Sequence, residues 1–240
     1  MNKQIEKNKN FSWRICGSPY FLLLIILNIT FMLSNLVLTF KLVDIGPMLA
    51  PGSLFVLPVS LLIEDVIAEV YGYKISRLLV WFTLLSAIVF LCMVRLIIHL
   101  PSPSYWHLQP DYNAIFNPLM RALPIAIVGF LVAQFINIYV ITKLKILMQG
   151  RFFWPRSIFA SIFGSIVGVT ISLSYAYTEI HLSWAHIEKL LLTDYMVRFA
   201  YAIVGGAPAW LLVIYLKNKE KIDIYDVGTN FNPFKLSMKD

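Results

Sequence analysis

The sequence predicts an all-α integral membrane protein: a bundle of six transmembrane helices with both termini in the cytoplasm. The 240 residues are 59% hydrophobic, with a mean hydropathy of +0.73. Only 14% of them are charged, whereas a soluble domain carries about 25%. Six apolar runs approach the roughly 20 residues that cross hydrocarbon, and most basic residues fall between them on one side.

Residues 20–40 are predicted to form the first spanning helix, after a polar and basic segment at residues 1–19. This run is longer than the apolar region of a signal peptide, and no small-x-small cleavage site follows it. Asn28 and Asn35 are seven positions apart in the run and therefore share one side. Either they form hydrogen bonds between helices, which we favour, or they contact a substrate.

The second helix, predicted for residues 51–69, contains the acids on which the functional interpretation depends. Pro58 is expected to kink or interrupt this helix. Of the three acids that follow, Glu64, Asp65 and Glu69, the last two are four positions apart and project from one face. An acid at the centre of a spanning helix costs about 2.5–3.5 kcal/mol when it faces lipid. We therefore expect a protein interior or a wet cavity around them; the alternative is that they lie where the helix enters water.

The remaining four helices are predicted over residues 75–100, 119–141, 156–177 and 195–216. Gly72 is expected to end the second helix, and a tight turn leads into the third. Residues 101–117 contain three prolines, two tyrosines and a tryptophan, which is typical of an interfacial loop. In the sixth helix, Gly-Gly-Ala-Pro at residues 205–208 predicts a kink or an unwound turn.

Polar and small residues mark two of these helices. Gln134 and Asn137 are three positions apart on one side of the fourth helix, and both can donate and accept hydrogen bonds. In the fifth helix, Gly164 and Gly168 have the Gly-x-x-x-Gly spacing that allows close helix packing. The bundle therefore contains polar groups at depth, a composition that suits the binding and movement of a small polar solute.

Charge distribution supports the topology. Four segments that would share one side of a six-helix bundle hold 15 of the 20 Lys and Arg residues: 1–19, 71–77, 143–156 and 217–240. The positive-inside rule places this side, with the N-terminal segment and the tail at 217–240, in the cytoplasm. The net charge of +7 is thus a topological signal, and no nucleic-acid partner is expected.

Motifs for catalysis or metal binding are not evident. The sequence has no phosphate-binding P-loop, no Gly-x-Ser-x-Gly stretch and no Ser-His-Asp pattern. Cys16 and Cys92 are far apart, and His181 and His186 lack a zinc-binding context. We therefore expect no enzymatic activity, no cofactor and no metal site.

Two stretches carry a resemblance to a known family. Residues 61–77 read L-x-x-E-D-V-I-A-E-V-Y-G-Y-x-x-S-R, and residues 137–157 read N-x-Y-x-I-x-K-x-K-I-L-x-x-G-R-x-F-W-x-R-S. Both are similar to motifs of the queuosine precursor transporters, also called the putative vitamin uptake family. The positions that match its D-x-x-x-E-V-Y-G-x-x-x-A-R motif are Asp65, Glu69, Val70, Tyr71, Gly72 and Arg77. Ser76 replaces the usual alanine, and no acid is present near Ser165, where the family commonly has one.

The resemblance implies uptake of a 7-deazapurine base such as queuine, the cyano base preQ0 or the aminomethyl base preQ1, for tRNA modification. A multi-pass location in the cell inner (cytoplasmic) membrane is implied as well. The expected substrate-binding residues are Asp65, Glu69, Gln134, Asn137, Tyr71 and Asn35. Arg77 and Arg156 are expected to act in gating or as charge partners of the acids.

Two other functions remain open at this point. The chain is alternatively a substrate-binding membrane subunit of a multi-component vitamin or nucleobase importer, or a membrane scaffold that transports nothing. The expected partners are the lipid bilayer and a small-molecule 7-deazapurine. Whether the chain forms a homo-oligomer is left open.

Overall fold

The structure, a computed structural model, describes residues 15, 17–46, 48–179 and 183–235. Most of the N-terminal segment, Cys16 and His181 lie outside these described residues. The described part of the chain contains five helices and one β-hairpin, in this order: α1 (Pro19–Leu38), β1 (Leu42–Ile45), β2 (Met48–Pro51), α2 (Leu57–Ile98), α3 (Gln109–Leu147), α4 (Phe153–Glu179) and α5 (Trp184–Glu220).

Four of the described helices, α1, α2, α3 and α5, are long and apolar enough to cross a membrane. The all-α architecture is therefore as the sequence predicts, but the described residues form five helices, and the six predicted are not confirmed. Residues of the predicted second and third helices belong to the single element α2, which extends over 42 residues.

Helix α2 is broken at Gly72, where the backbone has φ 78° and ψ 176°. Asn28 of α1 contacts both sides of the break: its Nδ2 donates to Ser60 Oγ at 3.0 Å, and its Oδ1 accepts from Thr83 Oγ1 at 3.2 Å. In an uninterrupted helix, Ser60 and Thr83 would be about 34 Å apart along the axis, at 1.5 Å per residue. The halves of α2, residues 57–71 and 73–98, therefore lie antiparallel to each other.

Pro58 does not kink a helix. It occupies the first turn of α2, where its missing N–H would have no intrahelical partner in any case. The residues before it form the β-hairpin, in which Leu42 is opposite Pro51, and then a 3₁₀ turn, Gly52–Phe55. The predicted start of this helix at residue 51 is thus wrong by about two turns, because β1 pairs with the apolar residues that precede Pro58.

Helix α5 continues through residues 205–208, so the unwound turn predicted there is not present. The two glycines instead allow close packing. A Cβ atom on Gly205 would lie 2.3 Å from Leu62 Cδ1, and one on Gly206 would lie 2.1 Å from Trp154 Cδ1. A similar close approach occurs between α3 and α4, where a Cβ atom on Gly168 would lie 2.5 Å from the carbonyl oxygen of Gly129.

The described chain begins and ends at the same end of the bundle. Ser18, the N-cap of α1, donates a hydrogen bond to Glu220, the last residue of α5. The Gly72 break, the end of α3 and the start of α4 also lie here, since Lys145 and Arg156 both reach Glu69. We call this the charged end. The β-hairpin lies at the other end, where Leu42 and Leu49 pack against Ile187 and Leu190 near the start of α5.

Candidate functional site

A cavity of about 180 Å³ lies between the helices and the 3₁₀ turn. Its wall is mostly apolar, with residues such as Leu61, Leu84 and Phe130. The polar side chains that line it are Asn35, Thr39, Ser53, Thr83, Gln134, Asn137, Ser161, Ser165 and Arg198. Apolar walls with a few convergent polar groups are characteristic of small-molecule sites.

Gln134 and Asn137 place two acceptors at this cavity. Both residues are 2% exposed. Their amide oxygens, Gln134 Oε1 and Asn137 Oδ1, are buried and have no hydrogen-bond partner among the described residues. A buried acceptor without a partner costs about 1–3 kcal/mol. A ligand with N–H donors would remove that penalty at both positions.

Asp65 fixes the orientation of Asn137. The carboxylate is fully buried, and one oxygen accepts a hydrogen bond of 2.7 Å from Asn137 Nδ2 while the other accepts one from the Ser157 hydroxyl. Asp65 itself does not line the cavity. Because the amide nitrogen of Asn137 is held by Asp65, its oxygen is left for the cavity.

Glu64, the acid next to Asp65, lies near Gln134 but is held by α1 instead. This side chain is 1% exposed, and its Oε1 accepts a hydrogen bond of 3.1 Å from Asn28 Nδ2, whereas its Oε2 has no hydrogen-bond partner among the described residues. On the sequence alone, Glu64 is not expected at the site because it points about 100° away from Asp65 on a helix, but the packing of α3 against α2 brings Gln134 near it.

Glu69 belongs to a different group of residues, which we call the charge cluster: Glu69, Lys145, Arg156, Lys217 and Asp223. Glu69 accepts from Arg156 Nη1 and from Lys217 Nζ, both at 2.7 Å. Asp223 accepts from Lys145 at 2.7 Å and lies 3.0 Å from Lys217. Burial alone would raise the pKa of Asp223, but hydrogen bonds from the two lysines hold it below its ordinary value. No member of the charge cluster lines the cavity.

The segment after α5 forms hydrogen bonds with the backbone of α2 on both sides of the break at Gly72. The backbone N–H of Ile224 donates to Val70 O at 3.2 Å, and the side chain of Asp226 accepts from the backbone N–H of Tyr73 at 2.8 Å. These bonds satisfy backbone groups that the break leaves without intrahelical partners. Burial raises the pKa of Asp226, an effect that the Tyr73 N–H opposes.

The remaining expected site residues contact this C-terminal segment or its neighbourhood rather than the cavity. Tyr71 donates to Glu220 at 2.6 Å, and Arg77 donates to the carbonyl oxygen of Asn232 at 2.8 Å. Residues 71–77, where a tight turn between the second and third helices is expected, include Tyr71, Tyr73 and Arg77, each 1% exposed.

Among the expected site residues, Asn35, Gln134 and Asn137 line the cavity, and Asp65 is one hydrogen bond from it. Glu69 and Arg156 form an ion pair away from it. Six polar residues outside the expected set also line the wall: Thr39, Ser53, Thr83, Ser161, Ser165 and Arg198. Of these described residues, Arg198 alone is charged. Within the described ranges, the structure has no cluster of three or more His, Cys, Asp or Glu side chains that could hold a metal ion.

Comparison with known proteins gives one match. The model of a family described as putative vitamin uptake transporter matches residues 51–213, which is more than half of the 240-residue chain. This region includes the halves of α2, the two amides of α3 and Arg198. Neither the comparison with curated proteins nor that with solved structures gave a match.

Proposed function

The chain belongs to the putative vitamin uptake transporter family, and from this premise we propose that it imports a queuosine precursor base for tRNA modification. It is a multi-pass membrane protein with a small-molecule substrate, as membership in this family and four span-length helices indicate. The expectation that the chain is not an enzyme agrees with a family of transporters. Specificity for a 7-deazapurine and location in the inner membrane are parts of the proposal.

The proposed topology has six crossings, because each half of α2 would cross the bilayer separately. As one straight helix, the 42 residues of α2 would be about 63 Å long, twice the roughly 30 Å of hydrocarbon. With the halves antiparallel, the charged end faces the cytoplasm by the positive-inside rule, and both termini lie there.

The observation that carries the proposal is the pair of unpaired amide oxygens, Gln134 Oε1 and Asn137 Oδ1, at the cavity wall. A guanine-like edge presents an amine and a ring N–H side by side, so one base could donate to both oxygens. The flat faces of the bicycle would pack against the apolar wall, from residues such as Leu61 and Leu84. Asp65 would act through Asn137, as a positioning residue.

The charge cluster would act as the cytoplasmic gate. Glu69 lies about 5 Å along α2 from Gly72, whereas Asp65 lies about 10 Å from it, at 1.5 Å per residue. The ion pairs of Glu69 with Arg156 and Lys217 therefore close the bundle between the cavity and the charged end. Release of a base toward the cytoplasm would require these pairs to separate.

A strain that cannot synthesise queuosine precursors and lacks this gene tests the proposal. Supplied with preQ0, preQ1 or queuine in turn, it should form queuosine-modified tRNA only when the gene is restored, provided that it can convert the supplied base. Equal modification with and without the gene, for every base, would contradict the proposed substrate. Membrane levels of the chain, measured in parallel, exclude a failure of expression.

A further inference from the structure

Arg198 occupies an unusual position for a basic residue. It lies about 21 Å along α5 from its first residue, Trp184, and so well inside the helix. A second cavity of about 320 Å³ adjoins the first, and Arg198, Leu61, Ser161 and Ser165 line both. Among the described residues that line the two cavities, Arg198 is the only charged one.

Asp194 holds the guanidinium of Arg198 in place and neutralises it. The carboxylate accepts from Arg198 Nε and, at 3.1 Å, from Arg198 Nη2; Asp194 is fully buried and the arginine side chain is 9% exposed. This leaves Nη1 without a partner among the described residues. A bidentate pair of this kind fixes the plane of the guanidinium, so the remaining donors keep a defined direction.

Among the described residues, no acid lines the cavity. On α2, Asp65 accepts from Asn137 and Ser157, and Glu64 accepts from Asn28 through Oε1, while Glu64 Oε2 has no hydrogen-bond partner among the described residues. Asp194 on α5 is occupied by Arg198. An ammonium group on a ligand would therefore lose its hydration beside a guanidinium, without gaining an anionic partner.

We infer that Arg198 is a substrate contact that donates to a carbonyl oxygen of the base, opposite Gln134 and Asn137, and that the cavity selects a neutral heterocycle over one with an ammonium group. This inference rests on the proposed function and narrows it. Among the expected bases, the cyano base is neutral, whereas the aminomethyl base and queuine both carry a protonatable amine.

The test is equilibrium binding to the purified full chain in detergent, with preQ0 and preQ1 as probes. The wild-type chain should bind preQ0 about 10- to 100-fold more tightly than preQ1, the range expected for burying an ammonium group that gains no anionic partner. The Arg198→Gln substitution should weaken the binding of preQ0 and strengthen the binding of preQ1, because Asp194 is left without its cation. The double substitution Asp194→Asn and Arg198→Gln leaves no buried charge unpaired and should bring the two affinities together.

Three results would overturn the inference. If the wild-type chain binds preQ1 as tightly as preQ0, the charge preference is wrong although the transporter proposal stands. If the folded double variant keeps the wild-type preference, Arg198 has only a structural role. If the wild-type chain binds none of preQ0, preQ1 and queuine, the last added as a third probe, the proposed function itself fails. The Arg198→Lys variant retains the charge but not the bidentate pair with Asp194. Its preference for preQ0 over preQ1 should lie between that of the wild type and that of the double variant.

Discussion

Replacing Gly72 by alanine is expected to destabilise the protein by about 2–6 kcal/mol. A φ of 78° with ψ 176° lies in a region that essentially only glycine occupies, at a cost of about 1–3 kcal/mol for another residue. The new Cβ atom would also lie 2.9 Å from Ile224 Cγ2 and 3.1 Å from Asp226 Oδ2. Overpacking of this kind costs about a further 1–3 kcal/mol. The total is a large part of a typical stability of about 5–15 kcal/mol.

Gly228→Ala is the matched control. Gly228 also has a positive φ, 75°, but a Cβ atom there would meet nothing within 4 Å. Only the backbone penalty of about 1–2 kcal/mol is therefore expected. Both variants and the wild type would be compared by reversible unfolding of the purified chain in detergent, followed by its helical signal.

Limited proteolysis gives an independent readout. The alanine at position 72 should displace Ile224 and Asp226, which contact the broken helix, and so expose the segment after α5 to cleavage. Two results would contradict this expectation: equal losses of stability in Gly72→Ala and Gly228→Ala, or cleavage of the segment after α5 at the wild-type rate in both. Either result would mean that α2 does not depend on this segment.

Three further changes are expected to have distinct effects. The Asp65→Asn substitution should reduce uptake at least about tenfold without reducing the amount of protein in the membrane. An amide at this position no longer accepts hydrogen bonds from both Asn137 and Ser157. Normal uptake by this variant would exclude a positioning role for Asp65. The Glu69→Gln substitution should lower the free energy of unfolding by about 3–5 kcal/mol, because Arg156 and Lys217 lose the carboxylate that they pair with. An unchanged unfolding midpoint would mean that the charge cluster contributes no stability. The pKa of Asp223 is lowered on folding, so its stabilising contribution is complete above the ordinary value of 3.8 and is lost as the pH falls below it. Asp223→Asn should therefore flatten the acid limb of a plot of unfolding temperature against pH, and an identical acid limb would contradict this.

The sequence predicts the membrane class and the acid-bearing helix because both depend on local pattern. Apolar run lengths identify spanning segments, and a four-residue spacing puts Asp65 and Glu69 on one face. Their separate roles could not be predicted this way. Glu69 pairs with Arg156 and Lys217, 87 and 148 positions away, whereas Asp65 meets Asn137. Only packing in three dimensions decides which partner each acid receives.

Glycine and proline positions gave ambiguous signals for the same reason. From the sequence, Pro58 is compatible either with a kink inside a helix or with the start of a helix. In the structure the residues before it pair in the β-hairpin, so α2 begins next to Pro58. Gly72 is correctly identified as a helix breaker. However, the sequence predicts a tight turn before a third helix that begins at residue 75, whereas in the structure helix resumes directly after Gly72 and Ile224 and Asp226 satisfy backbone groups at the break.

Arg198 is not among the expected site residues because the sixth helix is predicted to begin at residue 195. The structure begins α5 at Trp184, so a residue expected near the membrane surface lies three turns deeper. Residues 184–194 are less apolar than a typical spanning segment, and the burial of Ile187, Leu190 and Asp194 comes from tertiary packing. Local hydropathy therefore underestimates the length of this helix.

Accumulation of labelled preQ0 in vesicles that contain only the purified chain would show whether the cavity between the helices carries the base across the membrane. The Asn137→Leu variant, which keeps a side chain of similar size but removes the cavity oxygen and the bond to Asp65, serves as the comparison. We predict accumulation with the wild-type chain and a loss of at least about tenfold with the variant. No accumulation with the wild type, or equal accumulation with both, would contradict the claim that this cavity carries the base across the membrane.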